Sequence, residues 1–421
     1  MLEHISLYRV QRTNGQGVIN GCMVILLIQN WRLEYSPTKT KCITFGESTR
    51  SNAINTTTRQ WYLGGEPVEE VTSYNYLGII LSADGSSGTR TSSMSRKGYS
   101  CFGVLKATGF HSEGLSPITC STIWQRMLIP SMLYGCEVWG GLTKKELNTL
   151  ELVQKKVGKY IQGLHRRTHD EIVRGLLGWN TIAGTIDQCK LNFVHKLMSL
   201  PPDTVIKRIF LDKLYHVVLT PGPANDRSIT HDLWKVIHKY NVQSEVKSYI
   251  GGGQLISKSL WKQFCKCAVH ENEQTCWKNG LIRKGALRFY HVHDTLTPHP
   301  LYFTIKLHMN FRKLLLNVVR ILAFPEQSDE CACTACDEMY TDAVEHYVMR
   351  CQSRTHLRSE FWDNILDSIS CGEEAELLRM DEVDKLNVLL GKVWNGFRQC
   401  NRYNSFMCNV ASNMTSLMYV L

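Results

Sequence analysis

From Cys331 to Cys351 the chain reads CACTACDEMYTDAVEHYVMRC, and inside it Cys333-x2-Cys336-x9-His346-x4-Cys351 sets three thiols and one imidazole at metal-ligand spacing. No other feature restricts the fold as much. A Cys-x2-Cys knuckle places two thiolates on one tight turn, and the second pair, at the start of a helix, must return to the same point. Four ligands leave no open coordination position, so the expected metal, Zn²⁺, is structural rather than catalytic. Cys331 is a substitute ligand on the incoming strand. The competing reading is a cysteine-rich loop of unpaired thiols. A second group, Cys265, Cys267, His270 and Cys276, contains a Cys-x-Cys step that clamps a tetrahedral ion poorly, and packing is its default reading.

The chain has sixteen cysteines in 421 residues and no opening secretory signal. That combination fits a reducing compartment, so the expected location is intracellular, nucleus or cytoplasm, and not secreted. The run Cys22 to Ile28, CMVILLI, is too short to span a bilayer core of roughly 30 Å, so no membrane partner is expected. With 43% hydrophobic and 10% aromatic residues the chain can bury a substantial core. Lys plus Arg total 48 against 38 acidic residues, a formal +10. This excess suits a polyanionic partner, RNA or DNA, but it is also common in proteins that bind none.

Periodicity gives a mainly α-helical chain with a small α+β N-terminal part. A short strand is expected at Cys42 to Phe45. In RQWYLGGEPVEEV the Gly64-Gly65 pair divides two strand-like runs as a hairpin loop, because a type I′ turn needs positive φ at both central residues. TSYNYLGIILS reads as one strand with Gly78 at a bulge, and SADGSSGTRTSS reads as a loop. Pro117 and Pro130 bracket a helix containing Trp124 and Met127. From Thr143 to Leu164, Leu147, Leu150, Val153, Val157, Ile161 and Leu164 recur at helical steps. Thr143 and Glu146 form a capping box at its start, and Lys155, Lys156 and Lys159 suit its C-terminal dipole. Further helices are expected at Thr185 to Leu200 and Thr230 to Tyr240. Gly251 to Gly253 marks a boundary, which gives regions 1–85, 86–250 and 251–421. In the last, Trp261, Trp277, Arg283, Lys284, Arg288, Phe289 and Tyr290 serve either as base-stacking and phosphate contacts or as core. The HRRTH knot contains Arg166 and Arg167, which either fork onto phosphate or form a solvated helix end. No small-molecule substrate is indicated: G-x-S-x-G, Walker and H-E-x-x-H motifs are all absent.

Four stretches in order carry a family resemblance. WRLEYSPTKTKCITFGES from Trp31, RQWYLGGEPVEEVTSYNYLGIILS, IPSMLYGCEVW from Ile129 to Trp139, and the CCHC cluster together resemble the C-terminal part of non-LTR (LINE-type) retrotransposon reverse transcriptases. Lys39 and Lys41 match the family's N-x-K-K-[ST] stretch, with Ser36 where Asn is usual. Tyr76-Leu77-Gly78 matches the primer-grip motif and LYGCEVW the thumb signature. The likeness runs from about Trp31 to Cys351 and is looser between Pro221 and Glu330. It implies residual palm strands with a primer-grip hairpin, a helical thumb, and a helical C-terminal region with a zinc knuckle. It also implies nucleic-acid contacts at Lys39, Lys41, Tyr76, Leu77 and Gly78, to which the basic knot adds Arg166 and Arg167. The parent activity is RNA-directed DNA polymerisation, whose carboxylates hold two Mg²⁺ ions. This chain has no Asp-Asp dipeptide, and residues 1 to 30 contain no Asp. The expectation is therefore a truncated polymerase, inactive alone, that holds nucleic acid. The alternatives are a zinc-dependent protein-interaction module, or a polymerase completed by a missing upstream palm or endonuclease portion.

Overall fold

The computed structural model describes residues 40–45, 61–63, 66–111, 114–219, 228–284, 287–304, 309–324, 330–394 and 400–417. Lys39 and the Trp31 to Thr38 stretch lie outside these residues. The chain divides into two units, Met1–Ser93 and Met94–Leu421. The described part is mostly helical with a few small sheets.

The first unit holds β1 (Lys41–Cys42), β2 (Trp61–Leu63) and β3 (Glu66–Glu70), ordered β1-β3-β2. Strands β2 and β3 pair antiparallel with Leu63 opposite Glu66, the register a two-residue hairpin loop demands. The glycines themselves are outside the described residues. Trp61 and Val68, both buried, face each other across this pair. β1 is shorter than the Cys42 to Phe45 expectation and ends at Cys42; beyond it Thr44 donates its hydroxyl to the Glu70 carboxylate at 2.7 Å.

The stretch TSYNYLGIILS is not one bulged strand. It is a hairpin, β4 (Ser73–Tyr76) and β5 (Ile79–Ser82), with Tyr76 opposite Ile79. The reason lies at its centre: Leu77 has φ 48° and Gly78 φ 83°, two consecutive left-handed residues that reverse the chain. The following SADGSSGTRTSS loop is also shorter than its composition suggests. Asp84 Oδ1 accepts the Ser86 amide in a turn, but a helix starts at Gly88 and continues to Lys106. Buried Met94 and Phe102 lie on that helix, and their packing overrides the weak helix propensity of its glycines and serines.

In the second unit the segment between the two prolines forms two helical pieces joined by a π turn, Pro117–Ile123, Trp124–Leu128 and Ile129–Met132. Trp124 is fully buried there while Met127 is exposed. The helix Lys144–Gln162 has the capping box read from its sequence: the Thr143 amide donates to Glu146 at 2.7 Å, and the Glu146 amide donates back to Thr143 Oγ1. Its Leu150, Val153, Val157 and Ile161 are fully buried. Burying each such side chain is worth roughly 1.5–3 kcal/mol, which makes this stripe the main reason the helix is fixed in place. The helices expected near Thr185 and Thr230 are Ile182–Met198, capped by Thr181, and Ile229–Lys239, capped by Ser228.

Two hydrophobic clusters organise this unit. One gathers residues from Met94 to Leu417, and the other joins Leu191 and Val194 to Phe210, Leu233, Trp261 and Val269. Members of the second lie on both sides of the Gly251–Gly253 loop. The helix Lys258–Arg283 feeds both, sending Trp261 to one and Trp277 to the other. Between the clusters the buried Glu273 accepts from Arg174 Nη2 at 2.9 Å and from both the amide and hydroxyl of Thr181. That carboxylate therefore sits at the N-terminus of Ile182–Met198, where its charge suits the helix dipole. Among the described residues no helix is long and apolar enough to cross a membrane.

Candidate metal centre

The centre begins with a minimal hairpin, β6 (Cys331–Ala332) and β7 (Met339–Tyr340), paired Cys331 to Tyr340. Its loop is closed by backbone bonds: the Cys333 amide donates to the Glu338 carbonyl at 2.9 Å, and the Asp337 amide to the Cys333 carbonyl at 2.8 Å. Asp337 takes φ 60° to make the turn, a conformation that Asp tolerates better than most residues. Inside the turn the Ala335 amide points at Cys333 Sγ, 3.4 Å away. Cys333 and Cys336 thus present their sulfurs on one side.

The return arm is set by Asp342. Its Oδ1 accepts the Val344 and Glu345 amides at the start of the helix Ala343–Glu345, and also the Arg288 guanidinium at 2.8 Å. From His346 to Arg350 the backbone widens into a π turn, and the Cys351 amide donates to the His346 carbonyl at 2.7 Å. That five-residue step brings the His346 and Cys351 side chains back to the hairpin. Buried Val344 and Val348 anchor the arm in the larger core cluster.

The four ligand atoms all lie within 4.8 Å of one another, and the cluster can hold a metal ion. Cys333 Sγ is 4.0 Å from Cys351 Sγ, and Cys336 Sγ is 3.4 Å from His346 Nε2. Ligands on a tetrahedral ion at about 2.3 Å for sulfur and 2.0–2.1 Å for nitrogen would be about 3.6–3.8 Å apart, and the two observed spacings, 3.4 and 4.0 Å, lie on either side of that range. Cys333 and Cys351 are fully buried, and His346 is nearly so. Burial pushes the Cys333 thiol up, but hydrogen bonding from the Ala335 amide, His346 and Cys336 outweighs it and brings the thiol down to about 6. Cys351 is pushed up to about 11 by burial and by the neighbouring Cys336 and Cys333 thiols. Of these two thiols, Cys333 is the one held down and Cys351 the one pushed up. Cys331 is not part of this cluster. Cys265, Cys267 and Cys276 all lie on the helix Lys258–Arg283, with Cys265 packed in the core and the other two exposed, and among the described residues they form no metal-sized cluster with His270.

The remaining candidate residues are dispersed. Lys41 is in the first unit, paired with Glu69 at 2.5 Å. Tyr76, Leu77 and Gly78 form the tip of the β4–β5 hairpin, with Leu77 exposed. Arg166 and Arg167 are exposed on the turn after Lys144–Gln162, and among the described residues neither guanidinium has a partner. Trp261, Trp277 and Phe289 are core residues, Arg288 holds Asp342, and Lys284 pairs with Glu171 at 2.6 Å. The three aromatic rings are not free to stack, and Arg288 is not free to grip phosphate.

Sequence reasoning missed three neighbours of the centre. Glu338 Oε2 lies 3.7 Å from His346 Nδ1, Tyr340 stacks on the His346 ring at 4.9 Å and 13°, and Arg288 fixes the return arm. No periodicity separates Glu338 from any surface carboxylate. The sequence does place Tyr340 and Glu338 between the ligand pairs, which is the one signal available. No family model, curated protein or solved structure matches the chain.

Proposed function

We propose that the chain holds RNA or DNA, is related to the C-terminal part of LINE-type reverse transcriptases, carries one structural zinc ion, and does not polymerise alone. Three thiolate-capable sulfurs and an imidazole form a borderline-soft donor set that suits zinc. Zinc held by Cys333, Cys336, His346 and Cys351 would supply a crosslink between the hairpin and the return arm. Fully ligated by protein, it would have no position for substrate. Arg288, through Asp342, aims the arm, and the buried valines keep water from its base.

The nucleic-acid reading is carried by the turn at the end of Lys144–Gln162. Arg166 and Arg167 are exposed there, with no guanidinium partner among the described residues, and exposed Arg320 donates to the Gly163 carbonyl at the same helix end. Arginine forks of this kind fit phosphate oxygens, and the formal charge of +10 favours such a partner. Leu77 adds support of another kind: an exposed leucine held at positive φ on a hairpin tip is costly for folding, and strain of this sort is kept where contact is made. A protein partner is the second reading, favoured by the exposed Val205, Ile206, Ile209 and Leu219 on the helix Val205–Leu219.

Binding to single-stranded RNA and duplex DNA oligonucleotides, measured by fluorescence anisotropy across a salt series, separates the two. The nucleic-acid reading expects affinity to fall steeply with salt, and Arg166→Ala with Arg167→Ala to reduce the log–log slope by about 2. With primed template, nucleotides and Mg²⁺ the same protein should extend no primer. Salt-independent binding, or a slope unmoved by the double substitution, would sink the reading.

A further inference from the structure

We propose that Glu338 is the positioning residue of the metal centre, holding His346 by its side chain and Cys333 by its backbone so that one residue ties both halves of the ligand set. The inference rests on the reading that these four residues hold zinc. His346 has two nitrogens with different surroundings. Nε2 faces Cys336 Sγ at 3.4 Å and so belongs to the ligand shell, while Nδ1 faces outward to the Glu338 carboxylate at 3.7 Å. A metal on Nε2 withdraws charge from the ring and makes the Nδ1 proton more acidic, and a carboxylate beside that proton stabilises the arrangement and fixes the tautomer.

At 3.7 Å the pair is in charge contact, just beyond hydrogen-bond range. Glu338 is half in solvent, so its side chain can close the gap when positive charge arrives on the ring. Two carboxylates on the return arm are committed elsewhere. Asp342 caps its helix and binds Arg288, and Glu345 pairs with Arg350 at 2.7 Å. Tyr340, stacked on the ring, limits its tilt and leaves rotation about the ring plane for Glu338 to set. On the other side, the Glu338 carbonyl accepts the Cys333 amide. Replacing the side chain leaves that bond intact, so the two roles can be tested apart.

The test uses the full chain, zinc, and a competing chromophoric chelator, with the visible spectrum of the cobalt(II)-loaded protein as a second readout. Glu338→Ala should weaken zinc binding by about 10–100-fold, and Glu338→Gln, which keeps an acceptor without the charge, should fall between it and wild type. The cobalt bands should shift in both. Glu360→Gln, which removes an exposed carboxylate elsewhere, should leave affinity and spectrum unchanged. If Glu338→Ala does not fold well enough to assay, the nearly isosteric Glu338→Gln decides. Wild-type affinity in the Glu338 variants, or an equal loss in Glu360→Gln, overturns this proposal while the zinc reading stands. A wild-type chain that takes up no zinc overturns both.

Discussion

His299 is wholly buried, and its ring lies 4.8 Å from that of His293, itself almost buried. The His299 Nδ1 accepts the Leu301 amide, and His293 Nε2 lies 2.8 Å from the Thr297 carbonyl. Burial pushes His299 well below the usual imidazole range, and the neighbouring His293 adds to it. For His293, burial lowers the ring against the opposing pull of the Thr297 and Gly175 carbonyls. Both rings therefore take up a proton less readily in the folded chain than in the unfolded one. An unfolded chain binds protons on them once pH drops below about 6.5, so the stability they contribute is complete above that value and is lost as pH falls toward their depressed folded values. Each can contribute a slope of at most about 1.4 kcal/mol per pH unit. Denaturation curves between pH 7.5 and 5 should show this loss. His299→Asn, whose Oδ1 can replace Nδ1 for the Leu301 amide, should flatten it, and an equally steep variant would remove these residues from the account.

At the scale of elements, the hairpin β4–β5 makes the clearest case. Its turn residues Leu77 and Gly78 both sit at positive φ, and only the glycine does so without steric cost. Asn at the first position of such a turn is favoured, so Leu77→Asn should stabilise the hairpin by about 0.5–1 kcal/mol. Slower amide hydrogen exchange at Tyr76 and Ile79 would register the gain, and faster exchange would contradict the turn assignment. The stretch reads as one strand because a glycine inside a strand pattern signals a bulge, and a leucine at a left-handed position carries no composition signal. The helix Lys144–Gln162 was legible from cap to stripe, since Thr143, Glu146 and the apolar steps all act within the helix itself. The π turns at Trp124–Leu128 and His346–Arg350 were not. A π turn adds one residue to a helix for the sake of contacts made elsewhere, and those contacts are not local in sequence.

For the whole molecule, the ligand set was readable because Cys333, Cys336, His346 and Cys351 lie close together in the chain, and their spacing alone limits where they can meet. What surrounds them was not: Arg288 reaches Asp342 from 54 positions away, and nothing in either segment announces the other. The same holds for Trp261, Trp277 and Phe289: their aromatic and basic setting fits base stacking or core equally in kind, and only the contacts that place them in the two clusters decide for core. A metal at this cluster would link these scales. It would join a two-residue hairpin, too small to be stable alone, to an arm fixed in the main hydrophobic cluster. Removing the metal should therefore loosen residues 331–351 first. The central claim is tested by elemental analysis of the purified full chain together with Cys333→Ser and Cys351→Ser. The account predicts about one zinc per wild-type chain and its loss in both variants; zinc content unchanged by the two substitutions would contradict it.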